Sequence, residues 1–198
     1  GSGGRRVRAQ ESGSAKDSPG ERVVLGIMGV NGRGLAIARG MMAADNAEVG
    51  TICDVDFRAA GRAGEVVEET QGRKPKIVGD FRRILDDPDI DVLVIAAPNH
   101  WHAPATILGC AAGKHVYVEK PCSHTPAEGA MAVAAARKHN RIVQMGTQRR
   151  SWPGIQEAIA KLHGGEIGDV LYSRTWYNNR RPSIGYGKQA AEPEWLDW

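Results

Sequence analysis

The sequence predicts an α/β protein built on a doubly wound parallel sheet, and three observations carry that expectation. From residue 22 onward, short runs rich in Val and Ile alternate with amphipathic stretches. Six such runs precede residue 150, and the first opens into a glycine-rich turn followed at once by a helical pattern. Strand–helix alternation of this kind reads as crossover units on a parallel sheet. Runs this short and this continuously apolar are those of strands covered on both faces.

Taken in order, strands are expected over Arg22–Met28, Glu48–Cys53, Lys76–Val78, Ile90–Ala97, His115–Glu119 and Arg141–Met145. Helices are expected between them, over Gly34–Ala44, Arg58–Thr70, Phe81–Leu85, Ala103–Ala112 and Pro126–His139. The last has the clearest start: Thr125 as N-cap, Pro126 in the first turn and Glu128 at the capping-box position. Gly113 stands where a glycine would end the preceding helix. Beyond these lie a helix pattern over Gly154–His163 and a strand pattern over Asp169–Tyr177. The expected organisation is a leader or cloning remnant over 1–20, a dinucleotide-binding domain over 21–148, and the start of a second unit over 149–198. That second unit breaks off soon after it begins.

Composition narrows the function classes. With 41% hydrophobic and 25% charged residues the chain is globular, and it has no apolar run long enough to span a membrane. Two of its three net positive charges fall within residues 1–22. The body is therefore near neutral, and neither nucleic acid nor membrane is an expected partner. No apolar leader segment is visible, which gives a cytoplasmic expectation; the Arg5-Arg6 pair leaves export of a trimmed precursor open. Cys53, Cys110 and Cys122 lack metal spacing and read as free, mostly buried thiols.

The chemistry starts at Val23–Gly34. A strand runs into Gly29-Val30-Asn31-Gly32-Arg33-Gly34 and then into a helix. Glycines let the backbone turn tightly and approach a pyrophosphate, and the helix N-terminus offers free N–H groups to the anion. Gly29 and Gly34 occupy the first and third places of the dinucleotide pattern. Asn31 stands in the middle place, where its tolerance of left-handed backbone suits it, and Gly32 supplies clearance one place later. Asp54 follows Gly34 by twenty residues at the end of the second strand, the place of the acid that binds the adenosine ribose. A carboxylate there repels a 2′-phosphate, so NAD is expected over NADP. Asp56 is a rival for the role, capping of the next helix is the plain structural alternative for Asp54, and Arg58 lies close enough to affect the preference.

Strand C-termini are where open α/β sheets bind ligands. The fourth ends in Ala97-Pro98-Asn99-His100-Trp101-His102, where Pro98 and Asn99 face the nicotinamide side and His102 caps the next helix or packs near the cofactor. His100 and His102 have no carboxylate or thiol at ligand spacing, so no metal is expected. The fifth strand ends in Glu119-Lys120-Pro121.

The glycine turn, the Ala97-Pro98-Asn99-His100 segment and Glu119-Lys120-Pro121 together resemble the Gfo/Idh/MocA oxidoreductases. The run Gln144–Gln148 resembles a subgroup associated with bacterial carbohydrate metabolism. The resemblance extends over residues 22 to 198. It implies a Rossmann domain followed by an α/β domain with a mostly antiparallel sheet. It also implies pairing of subunits through that second sheet, and hydride transfer between NAD and a sugar or polyol carbon. Lys120 then stands at the substrate hydroxyl. Removing a hydride from a carbon requires its O–H to lose a proton, so a base or shuttle belongs there. Glu119, Arg33 and His102 join the cofactor contacts.

Seven of the eleven aromatics follow residue 150, interleaved with Arg174, Asn178, Asn179, Arg180 and Arg181. They suit a carbohydrate-binding wall equally with a domain core or an oligomer interface. Two other readings stand beside the dehydrogenase: an NAD-dependent glycosidase that oxidises its sugar transiently, and a non-catalytic dinucleotide-binding fragment.

Overall fold

The computed structural model describes residues 22–178, 187 and 191–196. The leader expected over 1–20 lies outside the described residues, as do Asn179, Arg180, Arg181, Tyr186 and Trp198. Six strands form one sheet: β1 (Val23–Met28), β2 (Ala47–Cys53), β3 (Lys76–Val78), β4 (Val92–Ile95), β5 (His115–Glu119) and β6 (Val143–Gly146). Their order is β3-β2-β1-β4-β5-β6, and the β1–β2, β2–β3, β1–β4 and β4–β5 ladders are all parallel. The helices are α1 (Arg33–Met42), α2 (Phe57–Gln71), the single turn α3 (Arg82–Leu85), α4 (His102–Ala111), α5 (Pro126–Lys138) and α6 (Pro153–His163). Short 3₁₀ turns precede α4 and α6.

Strand side chains alternate between two cores, as a period of two requires. Leu25, Ile27 and Val94 join Ile37 and Ala38 of α1 and Ala60, Ala63 and Val67 of α2. Their neighbours Met28, Leu93 and Ile95 face the other way, with Val116 and Val118, onto Ile84 of α3 and Ala105 and Cys110 of α4. This two-sided covering explains why the strands read as unbroken apolar runs.

Local signals act as expected at the helix ends. Thr125 and Glu128 form the capping box at α5, and Gly113 (φ 80°) is left-handed just after α4. The strand expected over Asp169–Tyr177 is not formed; those residues are exposed and outside any ladder. Its β-branched and aromatic residues favour extended backbone, but a strand is held only by a partner's N–H and C=O groups. The described residues divide into two compact units, one running from Arg22 to Met145 and taking in Trp195 and Leu196, the other beginning at Gly146. Among the described residues no helix is long and apolar enough to cross a membrane.

Candidate functional site

The strand order reverses between β1 and β4, and the crevice beyond their C-terminal ends is the place where such sheets take ligands. Gly29 N donates to Cys53 O at 2.8 Å and Ala96 N to Met28 O at 2.8 Å, so the turn leaves β1 pinned between its two neighbours. Gly29 has φ +84°, and a Cβ there would lie 2.7 Å from Ala97 N. At Gly34 a Cβ would fall 1.7 Å from Gly29 O. Both glycines therefore let backbone touch backbone.

The middle of the turn differs from the expectation. Asn31 is not left-handed; the positive φ, +84°, falls on Gly32. Gly32 is also the N-cap of α1, with no side chain capping the helix and no atom within 4 Å of where its Cβ would be. Glycine takes this conformation without the steric cost that even Asn meets. Uncapped N–H groups and open space at a helix start fit a pyrophosphate.

Asp54 follows β2 directly. Its Oδ2 accepts from Val30 N at 2.8 Å and its Oδ1 from Asp56 N at 3.0 Å, which fastens it to the glycine turn. The helix cap is Asp56, whose side chain accepts from Arg58 N and Ala59 N. The Arg58 guanidinium beside it holds the Asp56 carboxyl below the usual carboxylate range. Asp56 thus caps α2, and Asp54 lies at the crevice.

A cavity of about 680 Å³ lies here, lined by Gly29, Asn31, Asp54 and Pro98 among the expected residues. Sequence reasoning missed part of its wall. Phe81 and Trp101 meet edge to face at 5.8 Å, and both line the cavity together with Asp80 and Arg82. Gly79-Asp80-Phe81 follows the third strand, so the rule that placed Asp54 would have found it too. Cys53 lines the same wall, and burial pushes its thiol up to about 12, which keeps it neutral and apolar in character.

At the other end, Lys120 is exposed just after β5. Glu119 is 4% exposed and turned away from solvent: its Oε1 accepts from Arg33 Nε at 2.9 Å and its Oε2 from Lys120 N at 3.2 Å. Arg33 and Glu119 thereby join the glycine turn to the end of β5. Asn99 opens the 3₁₀ turn leading to α4. His102 is 1% exposed and is the first residue of α4, not its cap. Its Nε2 faces Ala97 O at 2.9 Å and its Nδ1 faces Pro121 O, bracing the ends of β4 and β5 against each other. With both nitrogens engaged this way, the ring does not form a ligand pair with His100. His102→Ala is expected to cost about 2–4 kcal/mol, through a cavity and abandoned carbonyls. Thermal unfolding would show it as a drop of several degrees, and an unchanged midpoint would mean that the ring braces nothing.

Comparison with known proteins agrees with this geometry. The model of the Gfo/Idh/MocA oxidoreductase family, with its NAD-binding Rossmann fold, matches residues 23–147. The chain is 38% identical over 98 residues to a levoglucosan dehydrogenase of Pseudarthrobacter phenanthrenivorans, taking in 50% of this chain and 25% of that protein. It is 34% identical over 109 residues to a glycosyl hydrolase family 109 protein of a Shewanella species, taking in 53% of this chain and 24% of that protein. The crystal structure of myo-inositol dehydrogenase from Lactobacillus casei, in complex with NAD(H) and myo-inositol, superposes with a TM-score of 0.66 at 26% identity, over 74% of this chain and 43% of that one. Each match takes in less than half of the relative's length. With the reversal crevice, the uncapped glycine turn and the acid after β2 all in place, the chain belongs to the Gfo/Idh/MocA family of oxidoreductases, whose Rossmann fold binds NAD.

Proposed function

We propose that this chain is the cofactor-binding part of an enzyme that moves a hydride between NAD and a sugar or polyol carbon. One observation carries the reading most: Asp54 stands at the crevice, tied to the glycine turn through Val30 N at 2.8 Å. A single rigid unit thus offers N–H donors for the pyrophosphate and a carboxylate for the ribose hydroxyls. Pro98 and Asn99 lie on the nicotinamide side. Residues 21–148 are the nucleotide domain, and 149–198 begin the part that carries substrate and subunit contacts, with Trp195 and Leu196 returning to the nucleotide unit.

The bound nicotinamide supplies the hydride acceptor. Lys120 Nζ, as the unprotonated amine, takes the proton from the substrate hydroxyl as the hydride leaves, and the resulting ammonium returns it in the reverse direction. Arg33, Glu119 and His102 hold the strand end from which Lys120 projects. Polyol and sugar substrates are supported by the dehydrogenase relatives. The family 109 relative favours a second reading, in which the same oxidation is transient and a glycosidic bond is eliminated before the hydride returns. Net release of NADH on incubation with a polyol separates the two, because the glycosidase cycle releases none.

The test is a calorimetric titration with NAD and NADP. NAD is expected to bind more tightly. Asp54→Ala is expected to weaken it by roughly tenfold to a hundredfold, the worth of one or two hydrogen bonds to a charged group. Full NAD affinity in that variant would remove Asp54 from the ribose site.

A further inference from the structure

Arg82 lines the crevice, while Arg33 and Arg58 stand in the first turns of the helices that follow β1 and β2, and each of the three is tied to a carboxylate. Arg33 holds Glu119 at 2.9 Å, and Arg82 holds Asp80 at 2.9 Å. Arg58 holds Asp56 through Nε at 3.2 Å and Nη2 at 3.3 Å. Arg58 is the one in the first turn of α2, four residues after Asp54, and it has a second restraint. Its guanidinium carbon lies 3.4 Å from the centre of the Trp195 ring. The backbone secures that stacking: Phe57 N donates to Trp195 O at 3.2 Å, and Leu196 makes an antiparallel bridge to Asp56. A strap from more than 130 residues downstream is therefore fastened to the β2–α2 turn at three consecutive positions, 56 to 58.

The contacts form a continuous series. Asp54 Oδ1 accepts from Asp56 N, the Asp56 carboxylate accepts from Arg58, and Arg58 stacks on Trp195. A guanidinium within one helical turn of the ribose acid is the group that would welcome a 2′-phosphate, because arginine matches phosphate with paired N–H donors. Here its Nε and Nη2 are turned to Asp56 and one face lies against an indole, an attraction of its own, so its orientation is fixed by two contacts.

We propose that Trp195 sets the cofactor preference. By stacking on Arg58 it keeps the guanidinium on Asp56 and away from the 2′-position, so the site takes NAD and refuses NADP. Trp195 is a positioning residue, acting through Arg58. The inference rests on the reading of Asp54 as the ribose acid.

The experiment is titration of this chain and its variants with NAD and with NADP. Trp195→Ala is expected to raise NADP affinity roughly tenfold to a hundredfold, the worth of a newly available hydrogen bond to a charged group, with NAD affinity held. Adding Arg58→Ala should remove the gain, and Trp195→Phe, which keeps a ring, should keep the parent ratio. Asp56→Asn loosens Arg58 from the other side while keeping a good helix cap. It is expected to move NADP affinity in the same direction, again only while Arg58 is present, so the idea stays testable if Trp195→Ala does not fold. An unchanged NADP affinity in a Trp195→Ala chain that still binds NAD would overturn the proposal, and so would a gain that survives Arg58→Ala. Those results leave the ribose assignment intact; that assignment falls only if Asp54→Ala binds NAD as the parent does.

Discussion

Lys120→Met is expected to lower the rate of NAD-dependent polyol oxidation by about 10²–10⁴-fold, the range for losing a positioned proton-transfer group, with NAD affinity unchanged. The reason lies in how the residue is held. Lys120 N donates to Glu119 Oε2, Glu119 is anchored by Arg33, and the next residue's carbonyl abuts His102. The backbone is fixed on three sides while the side chain remains exposed. Such a strand end can deliver an amine to a defined place at little entropic cost. On the proposed reading, removing the amine removes the proton acceptor and leaves the glycine turn and Asp54 intact. The measurement is NADH absorbance in steady state, beside a calorimetric Kd. Loss of NAD binding in parallel with the rate would make Lys120 a cofactor ligand instead. An unchanged rate would discard it.

Gly34→Ala should have the largest effect on the fold. The added Cβ would stand 1.7 Å from Gly29 O and 2.8 Å from Gly29 C. Both are backbone atoms of the turn, so no side chain can swing aside. Relief requires α1 to move off β1, which breaks the turn's geometry. The cost is about 3 kcal/mol or more, a large share of a domain's roughly 5–15 kcal/mol. Nucleotide binding should vanish with it. Gly32→Ala is the control: its Cβ would meet nothing within 4 Å, so it bears only the backbone strain of a positive φ, about 1–3 kcal/mol. Thermal unfolding of the two variants side by side checks the contrast. Equal midpoints would show that the turn yields more easily than its contacts imply.

Much of this architecture was legible in the sequence because its signals are local or periodic. All six strands and the helices between them are found close to where apolar runs and caps placed them, and Gly29 and Asp54 line the crevice beyond the strand ends. What was not legible depends on contacts between distant residues. Nothing in the neighbourhood of Arg33 names Glu119 as its partner, 86 positions away. His102 reads as a cap or a cofactor neighbour until two carbonyls, at Ala97 and Pro121, are seen against its ring. The choice of Gly32 over Asn31 for the left-handed position turned on one backbone angle. Asp169–Tyr177 has strand composition, but composition does not supply a partner edge.

The crevice has a consequence for how the protein acquires its ligand. Its two walls pair β1, at residues 25–28, with β4, at residues 92–95, and the Arg33–Glu119 tie reaches further still. No local segment contains the site in miniature. A chain that has formed its first β-α-β unit but not docked β4 presents a loose glycine loop, with loop-closure entropy still to be overcome. Nucleotide therefore distinguishes completed molecules from partial ones. By mass action it shifts the balance toward the completed form alone, by about 2.7 kcal/mol when free nucleotide is a hundred times its Kd. In a cell rich in dinucleotide, the cofactor would also act as a selective stabiliser, and protein emptied of it would be the first to meet the proteases.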